Sequence, residues 1–238
     1  MLNHLIRNEN IRYSILPIFF LLFFQNTSMA QSKAKLIYIG DPMCSWCYGF
    51  SPEMSEALES LSESVDFQLV MGGLRPYNTE TMADLGDFLK GHWEEVNKRS
   101  GQPFSYDILK DKTFVYDTEP ACRAVVLMRK LKPEAEFDFF KKVQTAFYHK
   151  NKNTNLTETF AELAKEYGLD KKEFAKKFES DEWKEKVKKD FSYAQSIGVR
   201  SYPTLVLQNG DDVYLIAQGY VEAETIIEKC EKILVAKK

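Results

Sequence analysis

Leu36-Ile37-Tyr38-Ile39-Gly40-Asp41-Pro42-Met43-Cys44-Ser45-Trp46-Cys47-Tyr48-Gly49-Phe50 carries a short apolar strand, Leu36 to Ile39, into a helix that reads from Ser45 to about Leu61. Two cysteines three positions apart stand at the junction. A helix N-terminus leaves backbone N–H groups unpaired and carries partial positive charge, so a thiol there ionises more readily, and thiolate is the species that attacks disulfides. Cys44 is the candidate nucleophile. Cys47, one helical turn further in, is spaced to attack Cys44 from within and release a mixed disulfide. The same spacing suits half of a tetrahedral zinc site, which needs two more ligands. Cys122 and Cys230 are single and far apart in the chain, so no second pair completes such a site and no metal is expected.

The first thirty residues have the form of a cleavable export leader. Arg7 and Arg12 precede an apolar stretch from Ser14 to Phe24, and Ser28-Met29-Ala30 supplies small residues where a signal peptidase cuts, leaving Gln31 first in the mature chain. The apolar stretch is short of the ~20 residues that span a bilayer, and nothing later approaches such a run. A secreted or periplasmic protein, without stable membrane insertion after cleavage, is the expectation; disulfides persist in such compartments. Losing Arg7, Arg12 and Glu9 with the leader takes 32 basic and 35 acidic side chains to 30 and 34. That mild negative balance argues against nucleic acid or anionic lipid as partner, and Lys184 to Lys189 reads as the solvated face of a helix. Four cysteines in a chain long enough to bury a full core do not make a disulfide scaffold.

Beyond the first helix, Val65 to Met71 reads as a second strand and Gly72-Gly73 breaks the pattern. From Glu80 to about Ile197 the period is helical, with no convincing strand. The segments are Glu80 to Arg99, Glu119 to Leu131, Pro133 to Lys150, Leu156 to Tyr167, Lys171 to Glu179 and Asp181 to Ile197. Strands return at Thr204 to Gln208 and Val213 to Gln218, joined through Asn209-Gly210, a strong hairpin signal, and Glu222 to Val235 closes the chain as a helix. The class is α/β, in the order β-α-β, helical block, β-β-α.

A strand, a CxxC at the start of the next helix and a late hairpin resemble the thioredoxin fold with a large all-helical insertion, as in the DsbA family. Pro52 stands eight positions after Cys44, where thioredoxin-like helices kink, and Val199-Arg200-Ser201-Tyr202-Pro203-Thr204 resembles the segment bearing the family's cis-proline. Asp41 to Phe50 is similar to the D-x-x-C-x-W-C pattern of the FrnE-type branch. Thr118-Glu119-Pro120-Ala121-Cys122-Arg123-Ala124 and Ala146-Phe147-Tyr148 resemble landmarks of its insert. The resemblance implies residues 31–75 and 199–238 as the thioredoxin-fold part and 76–198 as the insertion. It further implies a thiol:disulfide oxidoreductase that forms, reduces or isomerises disulfides in cysteine-containing proteins. Such an enzyme needs no cofactor beyond the Cys44–Cys47 couple and is served by a partner oxidase or reductase. A cis bond at Pro203 would bring the Tyr202 backbone beside Cys44. Ser45 and Trp46, between the cysteines, bear on thiolate stability, and the histidine of strongly oxidising DsbA proteins is missing there, so a weaker oxidant is expected. Thioredoxins also bury an acid in the strand before the motif. This strand holds none, and Asp41, the nearest carboxylate, is expected mainly as a turn residue before Pro42.

Other residues carry less. Cys122 and Cys230 lie on apolar helix faces and read as buried free thiols, with a mutual disulfide or a second redox couple as alternatives. His92 and His149 have no partner in sequence. Gly72-Gly73-Leu74-Arg75 is a turn into the helical block, not a phosphate loop. Two other functions stay open: a non-redox holdase for unfolded chains using Trp93, Phe104, Phe139, Phe140, Phe147 and Tyr148, and a glutathione-dependent isomerase of the 2-hydroxychromene-2-carboxylate type. The retained CxxC and the leader oppose the second.

Overall fold

The computed structural model describes residues 33–236; the leader reading, residues 1–30, lies outside them. A four-stranded sheet runs in the order β2-β1-β3-β4. β1 (Ala34–Gly40) pairs in parallel with β2 (Val65–Met71) and antiparallel with β3 (Thr204–Asn209), which pairs antiparallel with β4 (Asp212–Gln218). Parallel strands need a crossover, and α1 (Ser45–Leu61) supplies it between β1 and β2.

β1 is an apolar run because both faces of the sheet are covered. Leu36 and Tyr38 enter the larger core with Phe50 and Met54 of α1 and Ile226 of α8 (Ala223–Val235). Ile37 and Ile39 meet Val70, Val206 and Ala194, the last from α7 (Asp181–Ser196), on the opposite face. The remaining helices are α2 (Met82–Ser100), α3 (Glu119–Leu131), α4 (Glu136–Tyr148), α5 (Thr157–Lys165) and α6 (Lys171–Phe178).

Three departures from the sequence reading have local causes. α2 starts at Met82, because Thr81 caps it in a reciprocal box with Asp84. The residues before it pair instead with 114–116: Met82 N–H donates to Phe114 and Tyr116 N–H to Glu80, with a bridge between Thr81 and Val115. The expected helix from Pro133 divides into a 3-10 turn, Pro133–Ala135, and α4. α5 is shorter at both ends than expected, and its exit tightens into three-residue bonds such as Tyr167 N to Ala164 O.

α1 runs through Pro52 to Leu61. Proline leaves the carbonyl four residues back without its helical donor. That carbonyl, on Tyr48, accepts instead from Gln102 Nε2 at 3.3 Å.

Candidate active site

Cys44 is the N-cap of α1, in extended backbone conformation, and no side chain caps that helix end. Cys47 lies one turn further in with no exposed surface, whereas Cys44 keeps 5%. Both thiols are reduced. Ser45 and Trp46 are half-buried between them on the first turn. The Tyr202–Pro203 peptide is cis, and the Cys44 Sγ–H donates to the Tyr202 carbonyl at 3.6 Å. β1, α1 and the loop before β3 thus bring Cys44, Cys47, Tyr202 and Pro203 together, as the sequence reading expected.

The turn carrying the motif is held by the helical block. Asp41 has no exposed surface, and its carboxylate accepts from Met43 N–H at 2.8 Å, Leu74 N–H at 2.6 Å and the Cys122 thiol at 3.3 Å. Burial pushes the Asp41 carboxyl above its ordinary value, while hydrogen bonds from Leu74, Met43, Thr118 and Cys122 pull the other way. Asp41 is therefore both the turn residue expected before Pro42 and a buried acid. It takes the role from the turn that no strand residue was in a position to fill. Cys122 and Cys230 are buried free thiols, as read, but Cys122 is not simply a small hydrophobe, since its sulfur touches the active-site carboxylate. Burial drives Cys122 up strongly, with the Asp41 charge adding to it.

Met43, between Asp41 and Cys44, is fixed at three points beyond its N–H. Tyr116 and Tyr148 hydroxyls both donate to its carbonyl, the latter at 2.6 Å, and the Thr154 hydroxyl meets its sulfur at 3.3 Å. The insert landmarks around Thr118–Cys122 and Tyr148 are thus the groups that grip residues 41–43. Tyr116 and Thr154 were not singled out in the sequence, where nothing but their type marks them.

Beside Cys44 lies a shallow hollow of about 260 Å³ lined by Trp46, Arg99, Tyr202, Gly219 and Tyr220. Arg99 sits 4.4 Å above the Tyr220 ring and pairs with Glu222 at 2.6 Å. Arg99 and Tyr220 also escaped the sequence reading, because they come from the end of α2 and the loop after β4. Gly72 does more than turn the chain. The Tyr202 hydroxyl donates to its carbonyl at 2.7 Å, and a Cβ there would fall 2.1 Å from the Tyr202 ring. The six aromatic residues considered for holding unfolded chains are core: Trp93, Phe139, Phe140, Phe147 and Tyr148 are buried and Phe104 packs against them. His149 is exposed, and His92 stacks edge-on with Phe88 at 4.5 Å, away from the thiols in sequence and without a metal partner set among the described residues.

A family model described as thioredoxin matches residues 37–228. The chain belongs to the thioredoxin family. This thioredoxin-family protein is similar in structure to a candidate protein disulfide isomerase from Nitrosomonas europaea, at 33% identity, with 87% of this chain and 100% of that one covered and a TM-score of 0.80. It is also similar to the cytosolic disulfide reductase DsbM from Pseudomonas aeruginosa, at 25% identity, 85% and 99% coverage and a TM-score of 0.72. BdbD from Bacillus subtilis, at 15% identity, 87% of that chain and 85% of this one being the order of overlap seen across such matches, shares the fold with a TM-score of 0.59. No curated protein matches. Fold and family together support a thiol–disulfide oxidoreductase of DsbA-like architecture. No described helix is long and apolar enough to cross a membrane.

Proposed function

We propose that the protein is an exported thiol:disulfide oxidoreductase acting on cysteine-containing proteins, with Cys44 as nucleophile and Cys47 as resolving thiol. One observation carries the reading: in a thioredoxin-family chain, the Cys44 thiol stands at a helix N-terminus 3.6 Å from the carbonyl that precedes cis-Pro203, with Cys47 buried one turn behind. In the oxidised protein a substrate thiolate attacks Cys44 Sγ, the Cys44–Cys47 bond breaks, and its electron pair passes to Cys47. A second substrate thiolate then attacks the mixed disulfide, the substrate leaves with a new disulfide, and the protein keeps two electrons. Run in reverse, the same steps reduce or reshuffle a substrate disulfide. The hollow formed by Trp46, Tyr202 and Tyr220 is where a peptide beside the reacting sulfur would rest, with the Tyr202 backbone and Pro203 shaping it. No cofactor is needed, and a separate oxidase or reductase resets the couple. The holdase reading loses its basis, because its aromatic residues lie in the core.

The test is the reduction potential of residues 31–238, from equilibration in glutathione buffers with thiol trapping and Cys44→Ser as control. A Cys44-dependent couple near about −120 mV makes the protein an oxidant, and one near about −270 mV a reductant or isomerase. Absence of any Cys44-dependent couple would overturn the proposal. Detection of the processed chain in a periplasmic fraction checks the export half separately.

A further inference from the structure

Tyr38 lies on β1, six residues before Cys44, with no exposed surface. Three aromatic rings surround it edge-on: Phe50 of α1 at 5.8 Å, and Phe137 and Phe140 of α4 at 6.2 and 5.8 Å. The ring lies back along its own strand toward the motif. A Cβ at Gly40 would fall 2.9 Å from Tyr38 Cζ and 3.0 Å from its hydroxyl, so only glycine leaves that path open. Ring edges supply no acceptor, and the buried Tyr38 hydroxyl has no hydrogen-bond partner of normal geometry in the reduced protein. Leaving a buried hydroxyl unpaired is unfavourable, and a phenylalanine would fill the same space without that penalty. What the hydroxyl faces is the Cys47 sulfur, which the Asp41 backbone N–H also approaches. The other titratable groups around these two are Cys44 at the N-cap, the Asp41 carboxyl in the turn and Tyr202 in the loop before β3.

We infer that the Tyr38 hydroxyl is a catalytic hydrogen-bond donor to Cys47 Sγ, stabilising that sulfur as it leaves or attacks as thiolate; the inference rests on the Cys44–Cys47 couple proposed above. When an incoming thiolate attacks Cys44 Sγ, a new S–S bond forms, the Cys44–Cys47 bond breaks and the electron pair arrives on Cys47. That sulfur is cut off from water, so the Tyr38 O–H and the Asp41 N–H stand in for solvent. Burial pushes the Tyr38 phenol well above its ordinary value, with the nearby Cys47 adding to the effect. Tyr38 therefore keeps its proton and acts as donor rather than base. The proton that finally neutralises Cys47 is the one that the attacking thiol released to solvent. In the return step, Cys47 thiolate attacks the mixed disulfide through the same transition state, so the contact speeds both directions and leaves the equilibrium between disulfide and dithiol nearly unmoved.

The experiment compares oxidised wild type with Tyr38→Phe, measuring the second-order rate of reduction by dithiothreitol at pH 7 through Trp46 fluorescence, together with the reduction potential. We expect reduction about tenfold slower in the variant, the scale of one charge-assisted hydrogen bond partly developed in the transition state, with the potential unchanged. A rate within about twofold of wild type overturns the inference. So does a rate loss accompanied by a potential shift of about 30 mV or more, equivalent to tenfold in the exchange constant, because that marks a rearranged site. Site-specific 3,5-difluorotyrosine at position 38, a stronger donor of nearly the same shape, is expected to speed reduction, and a rate equal to or below wild type overturns the inference as well. A wild-type protein with no Cys44-dependent reaction would sink the oxidoreductase reading itself, whereas an active wild type indifferent to Tyr38→Phe sinks only the role of Tyr38.

Discussion

Replacing Gly72 by alanine should loosen the loop that shapes the groove beside Cys44. The new Cβ would lie 2.1, 2.4 and 2.7 Å from Cε1, Cζ and Cδ1 of Tyr202. Carbon atoms rest at about 3.5–4.0 Å, so the ring must move by more than about 1 Å. It cannot do so freely, because its hydroxyl is tied to the Gly72 carbonyl at 2.7 Å. Overpacking costs about 1–3 kcal/mol and a lost hydrogen bond about 1 kcal/mol. Gly72 is not among the residues at positive φ, so alanine suits its backbone and recovers about 0.4–1 kcal/mol through the unfolded chain. The net expectation is a loss of about 1–3 kcal/mol, small enough against a typical stability of about 5–15 kcal/mol for the variant to fold. In a Tyr202→Ala background the obstruction is gone, and the same Gly72→Ala change should become neutral or stabilising. Urea unfolding of the four proteins in this cycle measures the coupling, expected at about 2 kcal/mol or more. Because Tyr202 also presents the carbonyl 3.6 Å from Cys44 Sγ, exchange activity of Gly72→Ala should fall with it. Additive effects within about 0.5 kcal/mol would refute the reasoning.

Tyr116→Phe and Tyr148→Phe each leave the Met43 carbonyl one donor, so each should cost about 0.5–1.5 kcal/mol, while the double variant orphans a buried acceptor and should cost more than the sum; strict additivity in urea unfolding would show that the two hydroxyls do not share that carbonyl. The Asp41 carboxyl, raised by burial, should titrate above its ordinary value of 3.8 in carboxyl-carbon NMR. Its protonated form is then favoured by folding, so its contribution to stability is full below 3.8 and is lost as pH rises through the folded value. A midpoint at or below 3.8 would mean that its hydrogen bonds outweigh burial.

The sequence by itself determined the parts that rest on neighbours along the chain. The apolar run at 36–39, the cysteine pair at the following helix start, and the Asn209-Gly210 hairpin are local signals, and α1 spans Ser45–Leu61 as its pattern indicates. Helix ends were less legible, because caps and proline shift them by a turn: Thr81 with Asp84 at α2, Pro133 ahead of α4. Only the tertiary structure decided what surrounds the two thiols. Cys122 reaches Asp41 across 81 positions, Tyr148 reaches Met43 across 105, and Tyr202 reaches Gly72 across 130. None of these partners is marked by periodicity or spacing, since each is a polar group on an otherwise ordinary helix or loop. Burial decides them: once packing excludes water from the motif, every donor and acceptor there must be matched by whichever segment the fold lays beside it.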